Sequence, residues 1–149
     1  MGSCPPAIAH AGALCRATVA NMTTGARFLG LSILVVEDEP LIAMDIAQAF
    51  EPTGAEIIIT YTLEQALARV EQGALSAAIL DHALGNANSL VLYAGLTARG
   101  IPFMIYSGFG MRPDGVSETV PIVRKPASEE ELVAAMNGLI AGAPARSGN

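Results

Sequence analysis

Three consecutive carboxylates, Glu37-Asp38-Glu39, directly follow the apolar run Ile33-Leu34-Val35-Val36. Adjacent carboxylates repel, and a hard divalent cation relieves that repulsion. Three more residues stand at comparable places: Asp81 after Ala77-Ala78-Ile79-Leu80, Ser107 at the end of Pro102–Ser107, and Lys125 after Val120–Arg124. A carboxylate can act as a nucleophile, further carboxylates can hold Mg²⁺, and a lysine and a hydroxyl can contact phosphoryl oxygens. The set suits phosphoryl transfer. Each member alone is a weak signal, because an acidic triplet is commonly a solvated turn and a lone lysine a surface residue. Lys125, however, is the only lysine of the chain and sits between an apolar run and Pro126, which favours a role for it.

These residues fall at the ends of predicted strands. Residues 33–36, 56–61, 77–80, 102–107 and 120–124 read as strands, the first as one buried on both faces. Helices are predicted after Pro40, with Ile42, Ile46 and Phe50 on one face and Pro52 and Gly54 ending it. Thr62 with Gln65, and Ser128 with Glu131, have the spacing of capping boxes for two more helices, and Ser89–Arg99 gives another, closed by Gly100. Gly108–Thr119 holds three glycines and Pro113, so a helix there is short or missing. Alternating strands and helices predict an α/β, flavodoxin-like, doubly wound sheet of five parallel strands in the order 2-1-3-4-5. In that order strands one and three are neighbours, so Asp38 and Asp81 converge at their carboxyl ends, with Ser107 and Lys125 beside them.

The chain has 149 residues, 52% hydrophobic and 15% charged, as expected for one compact domain. A net charge of −6 argues against nucleic acid as a partner. No apolar run is long enough to span a membrane, and a cytoplasmic location is expected. Cys4 and Cys15 suggest neither a disulfide framework nor a metal site. Residues 1–30 lack sustained periodicity and read as a disordered extension, residues 31–141 as the folded domain, and residues 142–149 as a flexible tail.

The acidic pair Glu37-Asp38, Asp81, Ser107-Gly108 and Lys125-Pro126 together resemble a response-regulator receiver domain of two-component signalling. The resemblance covers about Leu31 to Ala141. It implies that Asp81 accepts a phosphoryl group from a histidine kinase or histidine phosphotransfer protein. It also implies Mg²⁺ held by Asp38, Asp81 and the backbone carbonyl of Ala83, with Glu37 acting through water, and a cis peptide before Pro126. Residues 102–110 partly resemble the FAT GUY group of stand-alone receivers, with Ile105, Tyr106 and Ser107 in place of Phe, Ala and Thr.

Two departures bear on mechanism. Ile122 stands at the switch position where most receivers carry an aromatic ring, so signalling by ring rotation is not expected. Ala83 offers no polar side chain to orient an attacking water. His82 reads as a loop or packing residue and Tyr106 as core. The expectation is a non-enzymatic single-domain response regulator in a Mg²⁺-dependent phosphorelay, with output through an unknown target protein. The alternative is a binding-only module that docks partners without regulated phosphorylation. A phosphatase of similar architecture ranks lower, because Asp81-His82-Ala83 lacks the Asp-x-Asp pattern.

Overall fold

The computed structural model describes residues 27–84 and 89–142. Most of the proposed extension, part of the loop after Asp81 and nearly all of the proposed tail lie outside the described residues. Strands β1 (Ser32–Val36), β2 (Glu56–Thr60), β3 (Ala77–Asp81), β4 (Phe103–Ser107) and β5 (Ile122–Arg124) form one sheet. Its order is β2-β1-β3-β4-β5, with every pairing parallel. This is the flavodoxin-like arrangement that the alternation of elements predicts. The three inner strands are almost wholly apolar because helices cover both of their faces.

The register brings the strand ends level. Val36 pairs with Thr60 and Leu80, Asp81 with Tyr106, and Ser107 with Arg124. β4 and β5 begin later than the apolar runs suggest. Pro102 and Pro121 precede them and have no N–H to donate, although their carbonyls still accept from Ala78 and Ile105 at 3.0 and 2.9 Å.

Helices α1 (Pro40–Phe50) and α4 (Glu129–Gly142) cover one face, and α2 (Leu63–Gln72) and α3 (Ser89–Ala98) the other. Pro40 starts α1, where its missing N–H costs nothing. Gly54, at φ +80°, lets the chain turn back after the short 3-10 turn at Glu51–Thr53. Ser128 and Glu131 form a full capping box, with N–H to side-chain bonds of 2.8 and 3.1 Å in the two directions. Thr62 caps α2 through Gln65 N–H, but Gln65 Oε1 accepts from Tyr61, one residue earlier than the box motif implies.

The α1/α4 core contains Ile33, Val35, Ile79, Met104 and Tyr106, and the α2/α3 core Leu34, Val36, Leu80, Phe103 and Ile105. No helix forms in residues 108–121. Instead Val116 is buried and Val120 packs against the α2/α3 core. Gly115 turns this segment at φ +85°, where a Cβ would collide with the Leu90 side chain.

The boundary at residue 31 needs correction. Phe28, read from sequence as extension, is only 2% exposed. Its ring lies 6.2 Å from that of Phe50, and its N–H donates to the Thr53 carbonyl at 2.8 Å. A single aromatic residue in an Ala/Gly-rich stretch carries no periodic signal, yet it contributes as much apolar area as a whole helical turn of small residues. No helix among the described residues is long and apolar enough to cross a membrane.

Candidate functional site

The carboxyl ends of β1 and β3 bring Glu37, Asp38 and Asp81 together. Each offers a carboxylate oxygen within 4.8 Å of the others. Glu37 prolongs the ladder of β1, donating its N–H to the Thr60 carbonyl at 3.1 Å, and its side chain is buried. Asp38, one residue on, is exposed.

Lys125 reaches this cluster from the end of β5. Its backbone N–H donates to the Ser107 carbonyl at 2.8 Å, so the end of β4 helps to position it. Its Nζ donates to Glu37 Oε2 at 3.0 Å and to Asp81 Oδ1 at 2.9 Å. The same ammonium lies 5.2 Å from the Tyr106 ring centroid, a favourable cation–π contact. Asp81 Oδ1 also accepts from the Ala83 N–H at 3.1 Å. Asp81 Oδ2 is thereby left without a protein partner among the described residues.

Burial pushes the Glu37 carboxyl up to about 7. Hydrogen bonds from Lys125 and from the Glu39 N–H pull it back, and the charge on Asp81 adds to the rise. Burial alone would lower the Lys125 ammonium. Its bonds to Asp81 and Glu37 outweigh that effect and hold it above its ordinary value. Glu37 and Asp81 thus share one cation, and no cationic side chain among the described residues pairs with Asp38. An excess of negative charge lined by hard oxygen donors, with one exposed member, fits a hard divalent cation.

Ser107 is fully buried. Its Oγ accepts from the Phe109 N–H at 3.2 Å and lies 3.2 Å from His82 Nδ1. The Lys125–Pro126 peptide is cis. Ile122 lies partly buried on β5 against the α2/α3 core.

Three features escape the sequence reading. Glu37 is buried and accepts from Lys125, a pairing that the sequence reading does not give. Tyr106 is core, as expected, but its hydroxyl also accepts from the Ala127 N–H at 3.1 Å and so holds the entry to α4. His82 touches Ser107. Only the Tyr106 role had a visible signal, since a buried tyrosine hydroxyl generally finds a partner.

No family profile matches the chain, and no curated protein matches it. Among solved structures, SdrG from Pseudomonas melonis Fr1, a single-domain receiver determined in its BeF3-activated conformation, is 36% identical. The match covers 75% of this chain and 98% of that one, with a TM-score of 0.61. The chain belongs to the response-regulator receiver domains.

More distant structures share the receiver fold. The receiver domain of sensor histidine kinase PA1611 from Pseudomonas aeruginosa PAO1, which has a magnesium ion coordinated in its active-site cleft, is 20% identical. Its TM-score is 0.66, with 76% of this chain and 99% of that one covered. A response regulator receiver protein from Sinorhizobium medicae WSM419 is 16% identical, with a TM-score of 0.66 and coverage of 76% and 96%. The acidic cluster of this receiver, Glu37, Asp38 and Asp81, is a candidate metal and phosphorylation site.

Proposed function

We propose that this receiver accepts a phosphoryl group on Asp81 from a histidine kinase or histidine phosphotransfer protein and passes the signal on by protein–protein contact. The observation that carries this reading is the asymmetry of the Asp81 carboxylate. Oδ1 is held by Lys125 and Ala83, whereas Oδ2 has no described protein partner and is the oxygen available to attack phosphorus. In the transfer, the new bond joins Oδ2 to phosphorus as the bond from phosphorus to the donor imidazole nitrogen breaks. An acyl phosphate results, and the histidine is returned.

Asp38, Asp81 and the Ala83 backbone carbonyl are the proposed ligands of Mg²⁺, with Glu37 contacting it through water. When bound, the ion supplies charge neutralisation for the phosphoryl oxygens. Lys125 moves from its carboxylate partners to one of those oxygens, and the Ser107 hydroxyl donates to another. Ile122 at the switch position offers no ring to rotate, so output is assigned to residues 108–119. Glycine-rich backbone has much conformational freedom to lose, and ordering it on phosphorylation presents a changed surface to the target.

The test is incorporation of acid-labile phosphate from a phosphohistidine donor or acetyl phosphate with Mg²⁺. Asp81→Asn should abolish labelling, and Asp45→Asn should not. Labelling retained in Asp81→Asn would overturn the assignment.

A further inference from the structure

His82 directly follows Asp81 and takes no part in the transfer as described. Its Nδ1 lies 3.2 Å from Ser107 Oγ. Because Ser107 is fully buried, its hydroxyl proton must be satisfied inside the protein. A serine hydroxyl has one proton to give and lone pairs to accept with. Of its two neighbours among the described residues, the Phe109 N–H can only donate. The proton of Ser107 is therefore directed at His82 Nδ1, and the ring carries its own proton on Nε2. His82 is partly exposed, which leaves that second nitrogen able to meet water.

We infer that His82 is a positioning residue: it holds the Ser107 hydroxyl in the unphosphorylated receiver, and the phosphoryl group on Asp81 must take that proton from it. The inference rests on the phosphoacceptor reading given above. Ser107 has a single proton, so the two acceptors exclude one another. A charged phosphoryl oxygen is the stronger of the two, and phosphorylation therefore breaks the His82 bond. His82 thus biases the resting state and sets how much of the phosphoryl group's attraction is used in leaving it. Release of the imidazole accompanies the signal in a receiver whose Ile122 has no ring to rotate.

The test uses the full chain and beryllofluoride with saturating Mg²⁺ as the phosphoryl mimic. His82→Ala removes the competing acceptor, so the Kd for beryllofluoride should fall about fivefold, the factor that one uncharged hydrogen bond is worth. His82→Asn restores an acceptor oxygen near the same place and should return the Kd toward wild type. In a Ser107→Ala background the contested proton is gone, and His82→Ala should then change nothing, whereas a packing role would persist there. Nitrogen-15 NMR should show His82 Nδ1 as a hydrogen-bonded acceptor in the free protein and released when the mimic binds.

An unchanged or raised Kd in His82→Ala overturns the inference. So does an equal effect with and without the Ser107 hydroxyl, or an Nδ1 that bears the proton. A wild-type protein that binds no beryllofluoride would instead overturn the phosphoacceptor reading, and this inference with it.

Discussion

The two faces of the sheet are closed in different ways. On one, α1 and α4 pack against each other and against the sheet, and Phe28 seals the edge with its ring tilted against that of Phe50. On the other, α2 and α3 cover part of the surface, and the rest is covered by irregular chain whose inward contacts are Val116 and Val120. The first face is held by interlocking helices, each with its own hydrogen-bond ladder. The second relies at its margin on a segment with few buried side chains, whose Phe109 and Met111 remain exposed. Local stability follows the number of buried apolar contacts. The helical face is thus suited to hold Lys125 and Tyr106 in place, and the irregular margin to change with little cost to the fold.

That contrast can be tested from its strongest point downward. Phe28→Ala should remove about 3–5 kcal/mol of stability, as for other buried phenylalanines, and denaturant melts will read it directly. A loss below about 1 kcal/mol would mean that Phe28 does not seal the helical face.

The second test lies at the mouth between the faces. Glu37 has a folded-state value raised from 4.5 to about 7, so the folded protein binds its proton more tightly than the unfolded chain does. The stability linked to this group is fully present below pH 4.5 and is lost as pH rises through 7. Without divalent cation, the wild-type protein should lose at most ~3 kcal/mol across that window through this group, and Glu37→Gln should flatten the slope. An identical pH dependence of melting in both proteins would refute the assignment.

The smallest effect belongs to the irregular margin. Val116→Ala removes about two buried carbon groups, worth roughly 1–2 kcal/mol. Hydrogen exchange should quicken in residues 108–119 while α1 and α4 keep their protection. Equal loosening of both faces would show that the margin is as tightly coupled as the helices.

Much of this was legible in the chain. The strand order follows from alternating elements, and the missing helix from Gly108, Gly110, Pro113 and Gly115. The convergence of Asp38, Asp81, Ser107 and Lys125 follows from their places after strands. These are local signals, repeated along a periodic backbone. What escaped is non-local or solitary. Phe28 stands alone among small residues. His82 and Ser107 meet at the ends of the neighbouring strands β3 and β4, 25 residues apart, and the register that levels them is not written in either stretch alone. The burial of Glu37 depends on a ladder bond to Thr60 and on a cation from the far end of the sheet. The half-shifted cap at Thr62 differs from the motif by one residue, within the tolerance of the motif but not of hydrogen-bond geometry.

Glu37 and Lys125 are 88 residues apart, and this separation sets how late in synthesis the two can meet. On a ribosome, a chain that has emerged only through β4 already possesses its acidic cluster, with the proposed phosphoacceptor Asp81, but not the lysine that pairs with it. The ammonium that bonds Glu37 and Asp81 arrives only when the fifth strand docks. A fragment ending before Lys125 therefore holds an incomplete centre. The ion pair acts as a closing clasp: the centre is completed only when nearly the whole domain has been synthesised.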